Sequence, residues 1–486
     1  MGEDKQKYLQ AFKDGNMDFD GRVFVGVSST GIYCRPICWA KQPIAENCTF
    51  YQGAAAAEKA GYRPCLLCRP ELAPRVEGEI TPTSRVAQFL NANLHDPQCL
   101  DKALARINVD HQALGNLFFD VYQVSPEEYL ETARLHQAKM LLTDTELSLE
   151  IIAKTVGYSD GAALTDIFKG KYRLDPIRLK RKKVKAGVDH ISITIGLRPP
   201  YRWEDMLGFL AMRAIPGVEM VKGKAYYRTV HLINIDGGEH YGWLKVQPGT
   251  KEYYLSLTLS NSLIPVLPLV MSRVRHLFDT NCRPDMINSA LESLGMLGDK
   301  YFTPGTRVPG CFDVFEMAVR AVLGQQITVK AASTLAGRFA SAFGTPIETG
   351  IEGLGVTFPK PGTILVLEEP IANHLGPLGI TSMRSTTIRE LAKVLEGELV
   401  DFDYWLEPHI EIEKLLPLPG IGPWTAEYLA MRAMGWRDAF PHTDLGIKKA
   451  LAPRTPKEIL GLAEAWRPYR SYGAINLWNS LSKEAD

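Results

Sequence analysis

Two sets of residues in this chain have types and spacings suited to chemistry. The first is a group of thiols: Cys34-x3-Cys38, then 26 residues, then Cys65-x2-Cys68. Two close pairs separated by a loop can converge as four soft ligands on tetrahedral zinc. The bland alternative is four buried core cysteines, which two such short spacings in so small a segment make hard to sustain. On spacing alone a closed four-thiolate site is structural by default, and Cys48 is left over as a core residue. The second set is Leu416-Pro-Leu-Pro-Gly420-Ile-Gly422-Pro-Trp424-Thr-Ala-Glu-Tyr428, followed by Asp444 in Pro441-His-Thr-Asp-Leu-Gly-Ile-Lys448. In a helix, Gly-x-Gly turn, helix pattern, Gly420 and Gly422 let the backbone approach a phosphate. The amides at the following helix start can then donate to it. An ordinary interhelical turn has the same pattern, and a lone aspartate before an apolar run usually caps a helix.

These groups need elements to position them. The chain has 486 residues, about three domains at roughly 150 residues each. It is 45% hydrophobic and 23% charged, which excludes a disordered chain. Lys+Arg and Asp+Glu both number 55, so a uniformly basic binder is excluded and a local basic patch is not. The longest apolar run, Leu263 to Met271, contains Pro265 and Pro268 and is too short to span a bilayer. Met1 to Lys7 is charged, so no secretion signal is visible there. Five of the eight cysteines precede residue 70, which suits a reduced compartment better than a disulfide scaffold; a cytoplasmic location is expected.

Leu72 to Thr83 reads as a linker. Helical patterns run from Ser84 to Arg181 and end in a basic stretch, Lys169 to Lys185. Within them, Ala103 to Val109 with Leu114 to Phe119, and Ile151 to Gly157 with Leu164 to Phe168, form two similar helix-turn-helix units. Such a unit can place its second helix in a major groove, although any small helical bundle would show the same periodicity. Ile191 to Ile195 and Leu255 to Leu259 alternate strictly, and Tyr226 to Ile235 is strand-like, as in a half-buried antiparallel sheet. Helical patterns return from about Met286 to the end.

Phe24-Val-Gly-Val-Ser-Ser-Thr-Gly-Ile-Tyr-Cys34-Arg-Pro-Ile-Cys38, Asn47-Cys-Thr-Phe-Tyr51 and Gly61-Tyr-Arg-Pro-Cys65-Leu-Leu-Cys68-Arg-Pro together resemble the N-terminal domain of the Ada DNA-repair proteins. The resemblance implies that Cys34 is both zinc ligand and methyl acceptor, taking a methyl group irreversibly from a DNA phosphotriester. Zinc ligation would keep the sulfur as the nucleophilic thiolate. The family's Pro-Cys-His-Arg active site for alkylated guanine is absent. Val124-Ser-Pro-Glu-Glu-Tyr-Leu130, Arg134-Leu-His-Gln-Ala-Lys-Met-Leu-Leu142 and the stretch from Gly157 to Phe168 resemble the AraC-type DNA-binding domain. Beside that motif, Arg178, Lys180, Arg181, Lys182 and Lys183 are expected to meet phosphates. The first recognition helix reads His111-Gln-Ala-Leu-Gly-Asn-Leu117 and the second region Asp160-Gly-Ala-Ala, without the arginines usual there.

Residues 190–486 resemble the AlkA family of 3-methyladenine DNA glycosylases. The resemblance runs through Pro199-Pro-Tyr-Arg-Trp-Glu-Asp-Met-Leu-Gly-Phe-Leu-Ala-Met-Arg-Ala214, Leu277-Phe-Asp-Thr-Asn-Cys-Arg-Pro284, Pro309-Gly-Cys-Phe-Asp-Val-Phe-Glu316, Ala321-Val-Leu-Gly-Gln325 and Ala465-Trp-Arg-Pro-Tyr-Arg-Ser-Tyr472. It implies that Asp444 is the catalytic carboxylate, that Phe209, Trp424, Tyr428 and Trp478 line the base pocket, and that Gln326 stands where the family places a leucine wedge. Trp424 stands where bifunctional relatives carry a lysine, which implies release of the base without strand cleavage. No cysteine follows Cys311, so an iron–sulfur cluster is not expected.

The expected fold class is multidomain α+β: a zinc domain at 1–78, an all-α tandem helix-turn-helix domain at 82–185, an antiparallel sheet domain at 188–290 and an all-α helix-hairpin-helix domain at 291–486. The expected function is DNA alkylation repair by base excision and by methyl transfer to Cys34, with one zinc and damaged double-stranded DNA as partner. No protein partner is inferable and a monomer is expected. The rival readings are a methylation-sensing transcription regulator with a vestigial glycosylase half, and a nonspecific DNA-binding scaffold.

Overall fold

The computed structural model describes residues 2–75, 80–180 and 189–482. The first module packs the helix Gly2–Lys13 and the short helix Ala54–Lys59 with four strands: β1 (Phe24–Val27), β2 (Ile32–Cys34), β3 (Cys48–Tyr51) and β4 (Arg63–Pro64). Their order is β3-β1-β2-β4. β1 pairs antiparallel with both neighbours, whereas β4 joins β2 in parallel through Ile32↔Arg63 and Tyr33↔Pro64. That parallel pair carries both strands toward the same end, where β2 finishes at Cys34 and the chain leaves β4 at Cys65.

The helix-turn-helix units follow. Helices Cys99–Ile107 and His111–Tyr122 turn at Asn108, which adopts the left-handed conformation (φ 53°). Leu149–Thr155 and Gly161–Tyr172 turn at Gly157 (φ 86°), where a Cβ would stand 2.2 Å from the Leu94 carbonyl oxygen. Only glycine fits that approach. Asp110 and Asp160 cap the second helix of each unit through the amides of Ala113 and Ala163. Helix Pro126–Asp144 joins the two units.

Five antiparallel strands form the larger sheet: β5 (His190–Gly196), β6 (Glu219–Lys222), β7 (Ala225–Ile233), β8 (Glu239–Pro248) and β9 (Tyr254–Ser260), in the order β5-β9-β8-β7-β6. The three strands legible in the sequence are β5, β7 and β9. β8 carries Gly242 and polar residues at partly exposed positions, so its apolar alternation is weak. The buried face of the sheet, including Ile193, Leu244 and Leu257, shares one apolar core with Leu135 of the joining helix and with Ile152 and Phe168 of the second helix-turn-helix. Helix Trp203–Arg213 bridges inward from the sheet: Trp203, Met206 and Leu210 enter the sheet core, and Phe209 enters the core of the C-terminal helices. Those helices include Val314–Leu323, Val329–Phe343, Ser382–Glu396, Pro408–Leu415, Pro423–Arg432, Leu445–Ala450 and Arg470–Ser482. A buried ion cluster, Arg228–Glu316 at 2.7 Å and Arg320–Glu316 at 3.1 Å, closes the seam between the sheet and helix Val314–Leu323. No helix among the described residues is long and apolar enough to cross a membrane.

Arg198 ties these parts together. It is 1% exposed, and its guanidinium donates to the carbonyls of Asp20 (2.9 Å), Pro74 (3.0 Å), Arg75 (3.2 Å), Asn281 (3.0 Å) and Cys282 (3.2 Å). Burial holds this guanidinium down at about 10. Removing the donor would leave several buried carbonyls unpaired, each costing roughly 1–3 kcal/mol. Arg198→Met is expected to lower stability by about 3 kcal/mol or more and to separate unfolding of the first module from the rest. Calorimetry of the zinc-loaded protein checks this; a single transition at the parent temperature would contradict it.

Candidate functional site

The four cysteines of the metal motif come together. Cys34, Cys38, Cys65 and Cys68 are all buried, and their sulfurs lie within 4.8 Å of one another. The Cys65 amide donates to the Tyr33 carbonyl at 3.0 Å, so the β2–β4 pairing itself sets the first and third ligands side by side. The Leu67 amide donates to Cys65 Sγ at 3.4 Å and the Arg35 amide to Cys68 Sγ at 3.3 Å, contacts that suit thiolates. Sulfurs this close cannot all carry charge without a cation. The neighbouring thiols hold Cys65 below the ordinary thiol range, through donation from Cys34 first, and push Cys68 above it. The donor set and its spacing therefore fit a tetrahedral zinc. Cys48 packs in the same small core as these ligands.

The second constellation is built mainly on one helix. Trp424, Tyr428 and Arg432 stand at i, i+4 and i+8 of Pro423–Arg432, so they form a ridge along one face. The Trp424 and Tyr428 rings stack at 5.3 Å and 17°. Trp478, from helix Arg470–Ser482, packs against Tyr428 at 6.3 Å and against Phe209 at 6.5 Å. Phe209 is 6% exposed, with the guanidiniums of Arg213 (3.7 Å) and Arg432 (4.8 Å) over its ring. Arg432 also donates to the Tyr428 hydroxyl at 2.7 Å. Burial pushes the Tyr428 phenol up, but Arg432, Arg213 and Arg320 outweigh it and hold the group below the ordinary tyrosine value.

Asp444 joins this cluster, and it does cap a helix, as a lone aspartate before an apolar run usually does. It caps helix Leu445–Ala450, its Oδ1 accepting from the amides of Gly446 (2.7 Å) and Ile447 (3.1 Å). The same oxygen accepts from Trp478 Nε1 at 2.9 Å, and Oδ2 accepts from Trp424 Nε1 at 3.0 Å. The two indoles fix the carboxylate and are in turn oriented by it. All four donors are neutral, so the negative charge is held in place without being cancelled.

The hairpin lies at the start of the Trp424 helix. Gly420 has φ 81°, and a Cβ there would meet Thr387 Oγ1 at 2.3 Å. Gly422 differs: a Cβ there meets nothing within 4 Å, and the helix it opens has no side-chain cap. Packing within the chain thus explains Gly420 but not Gly422. Gln326 (φ 56°) is exposed on the loop before Val329–Phe343. Its neighbour Gln325 donates to the Gly420 carbonyl (2.9 Å) and to Thr425 Oγ1 (3.0 Å), docking that loop on the hairpin. Sequence reasoning missed Gln325, Arg213 and Arg432; helical spacing from Trp424 and Tyr428 could have found Arg432. Of the basic run, Arg178 is exposed and Lys180 is partly exposed after the turn Pro176–Leu179. Arg181, Lys182 and Lys183 lie outside the described residues.

If the four thiolates hold the metal, Cys65→Ser is expected to lower zinc content below half an equivalent and to loosen the first module. Metal analysis with a thiol count checks this, and full zinc retention by the variant would contradict it.

Comparison with known proteins follows the same division. Residues 7–71 match the metal binding domain of Ada, 104–182 a helix-turn-helix domain, 192–313 the AlkA N-terminal domain, and 319–453 the HhH-GPD superfamily of base excision DNA repair proteins. A Mycobacterium tuberculosis protein described as a probable bifunctional transcriptional activator/DNA repair enzyme AlkA is 31% identical over 99% of this chain and 97% of its own length. The Escherichia coli DNA-3-methyladenine glycosylase 2 is 36% identical over 60% of this chain and 99% of its own. Among solved structures, a 3-methyladenine DNA-glycosylase from Archaeoglobus fulgidus shares the fold with TM-score 0.50 at 22% identity, covering 59% of this chain and 97% of that one. Full-length similarity to the mycobacterial protein, with all four domain matches in sequence order, shows that the chain belongs to the AlkA family, in the form that joins an Ada-type metal-binding domain and a helix-turn-helix to the AlkA fold.

Proposed function

We propose that this protein repairs alkylated double-stranded DNA in two ways: by hydrolytic excision of alkylated bases at Asp444, and by transfer of a methyl group from a phosphotriester to Cys34. The observation that carries the first is the Asp444 carboxylate, held by two indoles and two amides beside the Trp424–Tyr428 stack. An alkylated base is electron-poor and stacks well on indole. Gly422 and the uncapped helix start hold a backbone phosphate, and Gln326 occupies the gap that the flipped base leaves. The C1′–N bond breaks with its electron pair leaving on the base, and the sugar gains oxocarbenium character. Oδ2, with a single N–H donor, faces that charge, and water adds to C1′ with loss of a proton. Trp424 has no amine, so no Schiff base forms with the sugar.

In the first module the Cys34 sulfur attacks the methyl carbon. The carbon–oxygen bond breaks toward the phosphate, restoring a charged diester and leaving a thioether on Cys34. Cys34, Cys38, Cys65 and Cys68 would hold one zinc, which would supply the cation that keeps the sulfur a thiolate at neutral pH. Arg178, Lys180 and the residues that follow them serve as phosphate contacts. The exposed face of helix His111–Tyr122 presents His111, Gln112, Asn116 and Asp120 and no Lys or Arg. Helix Gly161–Tyr172, by contrast, carries Lys169 and Lys171 in its last turn.

Asp444→Asn keeps size and the acceptor for Gly446, Ile447 and Trp478, while removing the charge and the oxygen that accepts from Trp424 Nε1. It is expected to slow base release by on the order of 10²-fold while leaving affinity for damaged duplex largely intact. Base release from duplexes with one defined lesion measures this. Near-parental release by the Asn protein, or a borohydride-trapped adduct with the parent, would overturn the reading.

Gly422→Ala should fold normally, since nothing in the chain opposes a Cβ there, yet weaken duplex binding. Unchanged affinity would make the hairpin an ordinary turn.

With methylphosphotriester DNA, one methyl mass should appear on the Cys34 peptide and none on Cys34→Ser. A methyl on another cysteine would reassign the acceptor.

A further inference from the structure

A cavity of about 180 Å³ lies where three parts of the molecule meet, away from both constellations above. The metal module contributes Phe24, the turn at Gly53 and Pro74. The helix-turn-helix part contributes Tyr122, Tyr129 and Gln137. Helix Leu267–Leu277 contributes Met271 and Arg275. The walls are largely aromatic and apolar, and the charged groups among them are unevenly answered. Glu71 lines the cavity but already accepts from Lys139 at 2.6 Å and Arg69 at 2.9 Å. His136 faces it while bonded to Tyr33 and Glu58.

Arg275 is different. It is 6% exposed, and its Nε and Nη1 have no hydrogen-bond partner among the described residues. The Nε2 of Gln137, buried on the same lining, has none among the described residues either. Arg75 is a second cation on the lining. Burial, with Arg75 beside it, pushes the Arg275 guanidinium down to about 9, and among the described residues no carboxylate offsets that pressure. A buried guanidinium with open donors and a like charge for a neighbour is a costly arrangement unless an anion answers it. The donors here are those that recognise oxyanions: a planar fork and an amide N–H.

We propose that this cavity is a binding site for a small oxyanion on an apolar body, a phosphate monoester or a carboxylate attached to a planar ring. Its oxygens accept from Arg275, Gln137 and Arg75, and its ring packs among Tyr122, Tyr129, Phe24 and Met271. The cavity volume admits a group of about the size of phenyl phosphate and excludes a dinucleotide or a DNA strand. Because its walls come from three modules, an occupant stabilises their packed arrangement over any separated one.

The test uses the full-length, zinc-loaded protein with phenyl phosphate, benzoate and inorganic phosphate as probes, read by calorimetric titration and by the midpoint of thermal unfolding. Saturable binding of at least one ring-bearing probe at one site per chain is expected, with a raised midpoint. Phenyl phosphate alone binding identifies the phosphate class, and benzoate alone the carboxylate class. Arg275→Met should weaken binding at least about tenfold. Gln137→Leu, which keeps the arginine and its packing, should weaken it as well, so a folding defect in the first variant does not decide the matter. Asp444→Asn should bind the probe as the parent does. Absence of binding by all three probes at millimolar concentration, or equal binding by the parent and both cavity variants, would overturn the proposal.

Discussion

The packing of this molecule depends on one buried guanidinium. Arg198 stands just after β5 and gathers carbonyls from Asp20 in the metal module, Pro74 and Arg75 in the connection that follows, and Asn281 and Cys282 at the entry to the C-terminal helices. A planar donor fork can satisfy several carbonyls at once, which an ammonium cannot do with the same geometry. Backbone must come very close for this to work. A Cβ on Gly196 would stand 1.8 Å from the Leu72 carbonyl oxygen, and one on Gly21 would stand 1.9 Å from that of Pro74. Segment 72–75 is therefore clamped flat between the first module and the sheet rather than hanging as a tether.

Buried carboxylates do the same work on the other side of the metal module. Glu58 accepts from Tyr33 of its own module and from Tyr172 and Thr132 of the helix-turn-helix part, at 2.8, 2.8 and 2.9 Å. Glu71 pairs with Lys139. The metal centre is one residue from this network: the Arg35 amide donates to Cys68, and the Arg35 side chain pairs with Asp20, whose carbonyl accepts from Arg198. A contiguous set of polar contacts thus runs from the thiol cluster to the C-terminal half.

Asp444, like Glu58, differs from the carboxylates that are paired with arginine. Glu219, Glu316, Asp403 and Asp438 are each matched to an arginine, which fixes them and cancels their charge. Asp444 is fixed equally well, by indole and amide N–H groups, and keeps its charge. An arginine partner cancels a carboxylate's field, whereas neutral N–H donors fix the carboxylate and leave that field standing. Beneath it the arginines that the site does contain lie over Phe209 and Tyr428, with Arg432 bonded to the tyrosine hydroxyl, and none of these contacts involves Asp444.

Much of the site was legible in the sequence because local spacing dictates it. Cys34-x3-Cys38 and Cys65-x2-Cys68 are turns that can hold one ion, Gly420 marks a turn that needs positive φ, and Trp424 and Tyr428 share a helix face. The strands β5, β7 and β9 alternate as half-buried strands must, whereas β8 was not legible because much of it is half exposed and Gly242 breaks its alternation. What the sequence could not determine were contacts between residues far apart in the chain. That Trp424 and Trp478 both donate to Asp444, that Arg198 binds carbonyls from three segments, and that Arg275 faces a cavity without a partner among the described residues follow from packing between segments well separated in the chain. The sequence determined which residues could bind metal, phosphate or a flipped base, because those capacities belong to side-chain type and local spacing. The tertiary structure alone decided which charges are cancelled and which are left standing, because that depends on what the fold brings beside them.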